Sequence, residues 1–72
     1  MRINGEALRV LRERTGLSIT MLSKASGVDR TVITRLENGE RRGTPAQAKA
    51  LALALVAPVT MLIEHPTSES AA

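Results

Sequence analysis

The sequence predicts an all-α fold, a compact bundle of five short helices in a single domain. Apolar residues recur at helical spacing, capping residues precede the apolar segments, and glycines follow three of them. The 72 residues include no cysteine and no aromatic residue, so a small aliphatic core must hold the fold without disulfides. We therefore expect a helical domain over residues 1–64 and a flexible polar tail over residues 65–72.

The first helix is predicted over about residues 5–14. Asn4 is placed to cap it, and Ile3 and Leu8 have the spacing of a hydrophobic staple across that cap. Gly16 is placed to end the segment in a left-handed backbone conformation. The helix therefore turns one apolar face towards the core.

A second, shorter helix is predicted over about residues 19–25, with a serine directly before it as its cap. Gly27 ends it after barely two turns, and Val28 follows at a position from which it can enter the core. Asp29 is placed to cap a third helix over about residues 30–38. Two short helices joined by a tight glycine turn form a helix-turn-helix, whose second helix enters the major groove of DNA by its N-terminal end.

Three polar side chains share the predicted exposed face of the third helix, and these are Arg30, Thr31 and Arg35. An arginine can donate two hydrogen bonds to guanine O6 and N7, and a threonine methyl can contact a thymine methyl. The alternative is an ordinary solvated helix face that carries arginines. The glycine turn between the two helices favours the DNA-contacting face.

The next segment predicts a fourth helix over about residues 45–55, because Thr44 and Pro45 supply a cap and a first-turn proline. The alternating LALAL stretch imitates a strand, but the alanine content, the cap and the length favour a helix. Pro58 ends this helix. A last helical turn or two is expected over about residues 59–63.

Several functional classes do not fit this sequence. The most apolar stretch, residues 50–63, is too short to span a bilayer and contains a proline, and the N-terminus lacks a secretory apolar region. There is no catalytic Ser, His and Asp set, no phosphate-binding glycine loop and no thiolate metal site, and His65 stands alone. We therefore expect a cytoplasmic, non-enzymatic protein with no catalytic residue, cofactor, metal, membrane partner or evident small-molecule ligand.

Composition also narrows the kind of nucleic acid. The absence of Phe, Trp and Tyr argues against single strands, whose bases usually stack on aromatic side chains. The net charge of +3 is modest, so the placement of the basic residues matters more than their number. Double-stranded DNA is the expected partner.

The stretch GLSITMLSKASGVDRTVITRLENGERRGTP resembles the helix-turn-helix of the phage Cro and repressor family, also called the XRE family. The similarity covers about residues 7–63. Its most specific parts are the Gly27-Val28 turn, the core positions Ile33 and Leu36, and the Leu-Glu-Asn-Gly ending. The resemblance implies a five-helix, lambda-repressor-like domain of bacterial or phage origin, which binds a pseudo-palindromic operator as a homodimer and represses transcription.

The resemblance also implies site residues by their position in the motif. The residues expected to contact bases are Arg30, Thr31 and Arg35 of the recognition helix. Thr34 is a secondary candidate. Contacts with the DNA backbone fall to Arg41, Arg42, Asn38 and the amide of Ile19. Simple helix termination explains Asn38 about as well. A partly buried ion pair is expected between Arg12 and Glu37.

The sequence departs from the family at two positions of the motif. The family usually begins the second helix with a glutamine that binds phosphate and braces the recognition helix, whereas this chain has Ile19, which offers only its amide. The family tends to have Ser or Thr where this chain has Asp29. We expect the Asp29 carboxylate to cap the third helix, since DNA phosphates would otherwise repel it.

A surplus of apolar residues near residue 60 predicts a homodimer. Leu53 points about 160° away from the midline of the core residues Leu51 and Leu55, and Val56 stands where the family often has glycine or asparagine. The expected interface residues are Leu53, Val56, Val59, Met61 and Ile63. The alternative is that the last segment folds over Leu53 and buries it within one chain.

The competing function for the same fold is a protein-interaction module, such as an antitoxin that clamps a partner protein. A large apolar patch away from the arginines, combined with an absence of specific duplex binding, would favour that alternative.

Overall fold

The computed structural model describes residues 1–64, which form four α-helices and one 3-10 turn. The helices are α1 (Gly5–Arg14), α2 (Ile19–Ser26), α3 (Arg30–Glu37) and α4 (Pro45–Leu55), and the 3-10 turn spans Val59–Met61. The expected all-α fold is confirmed, but the expected fifth helix is wrong. After the extended Pro58 only three residues turn, because Leu62 is already buried in the core and Ile63 pairs with Ile3. The predicted tail and His65 lie outside the described residues.

Each α-helix begins with a side chain that accepts a hydrogen bond from a backbone N–H in its first turn. The four capping residues are Asn4, Ser18, Asp29 and Thr44. At the start of α4 the bond is reciprocal, because the Gln47 side chain accepts a hydrogen bond from the Thr44 N–H. α2 extends to Ser26, one residue beyond the expected end, and α3 ends at Glu37 with Asn38 as its C-cap.

Aliphatic side chains from the four α-helices and from the segments between and beside them form one core, in which α2 packs against α3 and α4, and α1 packs against α3. The core residues are Ile3, Leu8, Leu22, Val28, Ile33, Leu36, Ala48, Leu51, Ala52, Leu55 and Leu62. The structure shows Met21 and Ala25 of α2 exposed, although their spacing places them near the apolar face. The neighbouring helices cover only the narrow side of α2 that carries Leu22.

The N-terminal segment pairs with the segment that follows the 3-10 turn. Ile3 and Ile63 form an isolated antiparallel bridge, and the Asn4 N–H donates to the carbonyl of Leu62 at 2.7 Å. The Ile3 N–H also donates to the carbonyl of Arg42 at 2.8 Å. This pairing joins both ends of the described chain to the loop that follows α3.

The first turn of α1 lies directly against the backbone at the end of α3. A Cβ atom added at Gly5 would overlap the carbonyl oxygen of Leu36 and crowd that of Glu37. Glycine is therefore the residue that permits this close approach of two helix backbones.

Candidate nucleic-acid interface

The helix-turn-helix consists of α2, a three-residue turn and α3. Gly27 ends α2 at φ 78°. Glycine adopts this left-handed conformation without strain because it has no Cβ atom to clash with the backbone. Val28 then enters the core, and two serines of α2 hold its backbone. The Ser23 hydroxyl donates to the Val28 carbonyl at 2.6 Å, and the Ser26 hydroxyl accepts from the Val28 N–H at 3.1 Å. Side chains as well as core packing therefore fix the turn.

One face of α3 is polar and points to solvent, while the opposite face carries the fully buried Ile33 and Leu36. The exposed residues that the motif assigns to base contacts are Arg30, Thr31, Thr34 and Arg35. Within residues 1–64, the Arg35 side chain forms no hydrogen bond or ion pair. The face therefore presents two guanidinium groups and two hydroxyls on a helix that the core holds in place.

A shallow cleft of about 300 Å³ lies between the N-terminal ends of α2 and α3, and its lining residues are Ile19, Thr20, Arg30, Thr31 and Thr34. Across the cleft, Nη1 of Arg30 donates to the hydroxyl of Thr20 at 3.5 Å. The Ile19 side chain is half-buried and packs against the core. The contact between the two helix ends therefore comes from Thr20, a residue that the sequence pattern does not single out.

The loop after α3 carries Arg41 and Arg42 with exposed side chains. Its backbone is anchored, because the carbonyl of Arg42 accepts from the N–H of Ile3 at 2.8 Å. Asn38 is also exposed, and its backbone N–H donates to the carbonyl of Thr34 at 3.0 Å. Three of the four candidate backbone contacts thus lie directly after α3, at the start of a loop tied to the N-terminal segment, and the fourth, Ile19, is the first residue of α2.

An ion pair joins α1 to the last residue of α3. Nε of Arg12 lies 2.7 Å from one carboxylate oxygen of Glu37, and its Nη2 lies 3.1 Å from the other. The two side chains are only 13% and 5% exposed. Nη1 of Arg12 donates to the carbonyl of Leu17 at 3.1 Å, in the segment before α2. The hydrogen bond with Glu37 raises the pKa of Arg12 above its ordinary value, although burial opposes the shift.

Two contacts near this surface have no local sequence signal. The first is the hydrogen bond between Thr20 and Arg30, which lie on separate helices. The second is the hydrogen bond that Arg2, near the N-terminus, donates to the carbonyl of Gly39 at 3.3 Å. Arg2 also lies 3.6 Å from the carboxylate of Glu64, where both side chains are about half exposed. Helical periodicity predicts which face is buried, but it does not predict which side chains meet across elements.

A second surface, at the end of α4, is apolar. Leu53 is 72% exposed and Val56 is 92% exposed, so the last segment does not cover Leu53. The bridge between Ile3 and Ile63 holds that segment beside the N-terminal residues instead. Met61 is about half exposed. The remaining residues expected at a dimer interface are Val59, which is partly exposed, and Ile63, which is half-buried.

This fold and the exposed face of α3 define a helix-turn-helix DNA-binding domain of the kind found in transcriptional regulators. The family profile described as a helix-turn-helix domain matches residues 5–62. The chain belongs to this family, and the comparisons below support the XRE-family helix-turn-helix protein that its sequence resembles.

One similar curated protein is a transcriptional repressor. The chain is 47% identical over 55 residues to the HTH-type transcriptional repressor RghR of Bacillus subtilis (strain 168), a match that covers 75% of this chain. It spans only 41% of the length of RghR.

Two solved structures share the fold. The restriction-modification controller protein C.AhdI from Aeromonas hydrophila matches with a TM-score of 0.77 and 35% identity, over 79% of this chain and 86% of that one. An HTH_3 family transcriptional regulator from Vibrio cholerae matches with a TM-score of 0.77 and 28% identity, over 81% of this chain and 33% of that one.

Two further features concern the described part of the chain. None of its helices is both long enough and apolar enough to cross a membrane. Residues 1–64 also contain no group of three or more His, Cys, Asp and Glu side chains placed to hold a metal ion.

Proposed function

We propose that the protein represses transcription by binding double-stranded DNA at a specific sequence through α3. The observation that carries this proposal is the exposed face of α3, which combines two arginines with two threonines. Arg30 and Arg35 are suited to guanine edges in the major groove, and Thr31 to a thymine methyl. Because Arg12 and Glu37 hold the end of α3, the helix loses little freedom when it binds.

Contacts with phosphates orient α3 in this proposal. Arg41 and Arg42 add affinity without reading sequence, and Asn38 lies at the end of the recognition helix next to them. As the first residue of α2, Ile19 has an N–H without an acceptor inside the helix, and such N–H groups bind phosphate well. The operator lies on bacterial or phage DNA, so the protein acts in the cytoplasm.

The proposal includes a homodimer that forms through the apolar surface of α4. Pro45, Lys49 and Leu53 follow one another at spacings of four residues, so they lie along one side of the helix, and the exposed Val56 directly follows its last residue. A groove of about 350 Å³ adjoins the first half of this stripe, and its lining residues are Met1, Pro45, Ala48, Lys49, Val59 and Ile63. Exposed leucine and valine beside an apolar groove are typical of an interface.

A two-fold dimer has a geometric consequence for the DNA. Its two recognition helices should enter successive major grooves about 34 Å apart, on the same side of the duplex. The operator should then be a pseudo-palindrome with half-sites about 10 base pairs apart, centre to centre.

Selection of bound duplexes from a random pool tests the proposal. The wild-type protein should enrich a pseudo-palindrome with that spacing, and a variant with both Arg30→Ala and Arg35→Ala should enrich no motif. Both substitutions remove exposed side chains, so the circular dichroism of the variant should match that of the wild type.

The exposed apolar surface also supports a second candidate, a protein-interaction module such as an antitoxin. If the wild type enriches no sequence and sediments as a monomer, the repressor proposal is wrong, and the exposed Leu53 and Val56 then favour the protein-interaction module.

A further inference from the structure

The two arginines on the exposed face of α3 are held differently. The guanidinium of Arg30 donates from Nη1 to the hydroxyl of Thr20 at 3.5 Å, and this is its one hydrogen bond within residues 1–64. Arg35 has no such contact in the same part of the chain. At 3.5 Å the bond is long, so it directs the Arg30 side chain without immobilising it.

Thr20 is the group on α2 that is suited to this contact. It is the second residue of α2, Arg30 is the first residue of α3, and both line the cleft between the helix ends. The neighbouring Ile19 has no polar side-chain atom. The carboxylate of Asp29 caps α3 by accepting from the N–H of Thr31 at 2.9 Å, and it forms no ion pair within residues 1–64.

We propose that Thr20 is a positioning residue for Arg30 and that its hydroxyl sharpens the base preference of the protein at one base pair of each half-site. This inference rests on the proposed function. A guanidinium has five N–H donors, so the bond to Thr20 leaves enough of them for guanine O6 and N7. The hydroxyl is neutral, so Arg30 keeps its full charge towards DNA.

Thr20 can increase specificity because it keeps the Arg30 side chain from contacts that do not depend on sequence. A free arginine at the start of α3 can turn to a nearby phosphate, where it adds affinity to every sequence alike. A bond to Thr20 favours the conformers that stay beside the cleft, and it removes part of the entropy cost of ordering the side chain on the base. Thr20 therefore increases the difference between the right base pair and the wrong ones.

The test compares four variants on a panel of duplexes: Thr20→Val, Thr20→Ser, Arg30→Ala and the Thr20→Val, Arg30→Ala double variant. The panel contains the selected operator and versions in which each base pair of the half-site is replaced. Valine keeps the shape and β-branching of threonine without the hydroxyl, and serine keeps the hydroxyl. Since Thr20 is exposed, all four variants should unfold at nearly the wild-type temperature.

We expect Thr20→Val to reduce discrimination about two- to tenfold at the base pair that Arg30→Ala identifies, and to leave the other positions unchanged. Thr20→Ser should retain the wild-type preference. In the Arg30→Ala background, Thr20→Val should have no further effect on discrimination.

Three results would overturn the inference while leaving the proposed function intact. The first is an unchanged base preference in Thr20→Val. The second is an equal loss of binding to every duplex, as expected for a lost phosphate contact. The third is an equal effect of Thr20→Val with and without Arg30. A wild-type protein that shows no sequence preference would instead overturn the proposed function and this inference together.

Discussion

Arg12 and Glu37 connect α1 to the end of the recognition helix through a two-point hydrogen-bonded ion pair that is largely shielded from water. Arg12 extends the connection to the carbonyl of Leu17, just before α2. A single side chain therefore ties together α1, the start of the helix-turn-helix and its end. The orientation of α3 relative to the rest of the domain depends on this pair as well as on apolar packing.

Removal of Arg12 should destabilise the protein strongly. Arg12→Ala leaves the Glu37 carboxylate buried without its cation, and we expect the free energy of unfolding to fall by about 3 kcal/mol or more. Urea denaturation followed by circular dichroism measures this change. Arg9→Ala, at an exposed position of the same helix, should cost less than about 0.5 kcal/mol. A loss for Arg12→Ala as small as that of the control would contradict a buried pair.

The stabilisation by Arg12 should not vary between about pH 6 and pH 9. Glu37 raises the pKa of Arg12, so the contribution is fully present below the pKa of the unfolded chain and is lost only when the pH rises through the higher pKa of the folded state. The difference in unfolding free energy between wild type and an Arg12→Met, Glu37→Gln double variant, which leaves no carboxylate buried without its cation, checks the expectation when it is measured at both ends of this range. A difference that declines towards the alkaline end would show that the cation is not held as the structure indicates.

Gly5→Ala should also destabilise the protein, although alanine is the better helix former. The new methyl group would overlap the carbonyl oxygen of Leu36, so α1 would have to move away from α3. We expect a loss of about 1–3 kcal/mol, the range typical of overpacking. Glu6→Ala, at an exposed position of the same turn, is the control and should change stability by less than about 0.5 kcal/mol. A gain in stability for Gly5→Ala would rule out the close approach.

Substitutions on α3 and on the loop after it should have different effects on DNA binding. Arg35→Ala should cost about 1–3 kcal/mol on the selected operator and relax the preference at one base pair of each half-site. Arg41→Ala should weaken binding to all duplexes alike and reduce the slope of log affinity against log salt by about one. Titrations of operator and random duplexes at several salt concentrations separate the two. Equal losses on both duplexes for both variants would mean that α3 does not read the bases.

The elements that the sequence predicts well are those with local signals. Asn4 and Thr44 lie directly before the helices they cap, and Gly27 lies inside the turn that it permits, so a short stretch of sequence is sufficient to recognise each. The last segment of the described residues, 56–64, is predicted less well. Periodicity alone does not distinguish a helix from a 3-10 turn, and Pro58 leaves too few residues before the bridge at Ile63 for a helix to form.

In the candidate site, too, the sequence predicts the features with local signals and misses the contacts between elements. The motif places Arg30 and Arg35 on the exposed side of α3 because their spacing relative to the core residues is local. The contact between Thr20 and Arg30 depends on how α2 and α3 pack, and the pairing of Ile3 with Ile63 depends on the path of the entire chain. Such contacts follow from tertiary structure, and neither residue of a pair identifies its partner in the sequence.

Replacement of Val56 by glycine should stabilise the monomer and weaken the dimer. It ends α4 at φ 54°, where a β-branched side chain is strained, and it is 92% exposed. Val56→Gly should therefore stabilise the monomer by about 1 kcal/mol, and the lost apolar side chain should weaken dimerisation. Val56→Ala, which keeps a Cβ in the left-handed conformation, should weaken dimerisation with a smaller gain in stability. Thermal unfolding and sedimentation equilibrium measure the two effects. Tighter dimerisation of Val56→Gly would exclude Val56 from the interface.

Leu53→Lys should reduce dimerisation and operator affinity together. Burial of a leucine contributes about 1.5–3 kcal/mol, and a two-fold interface loses that contribution from both copies, so the dimer dissociation constant should rise at least about tenfold. The monomer should remain folded, because Leu53 is 72% exposed and supports no core contact that a lysine would break.

The control is Val10→Lys, which adds the same charge at an exposed position of α1. It should leave dimerisation unchanged, and it thereby separates the loss of the interface from the effect of net charge. Sedimentation equilibrium and operator titration of both variants test this expectation. A wild-type monomer bound to a single half-site, at concentrations where binding is sequence-specific, would show that DNA recognition does not require this surface.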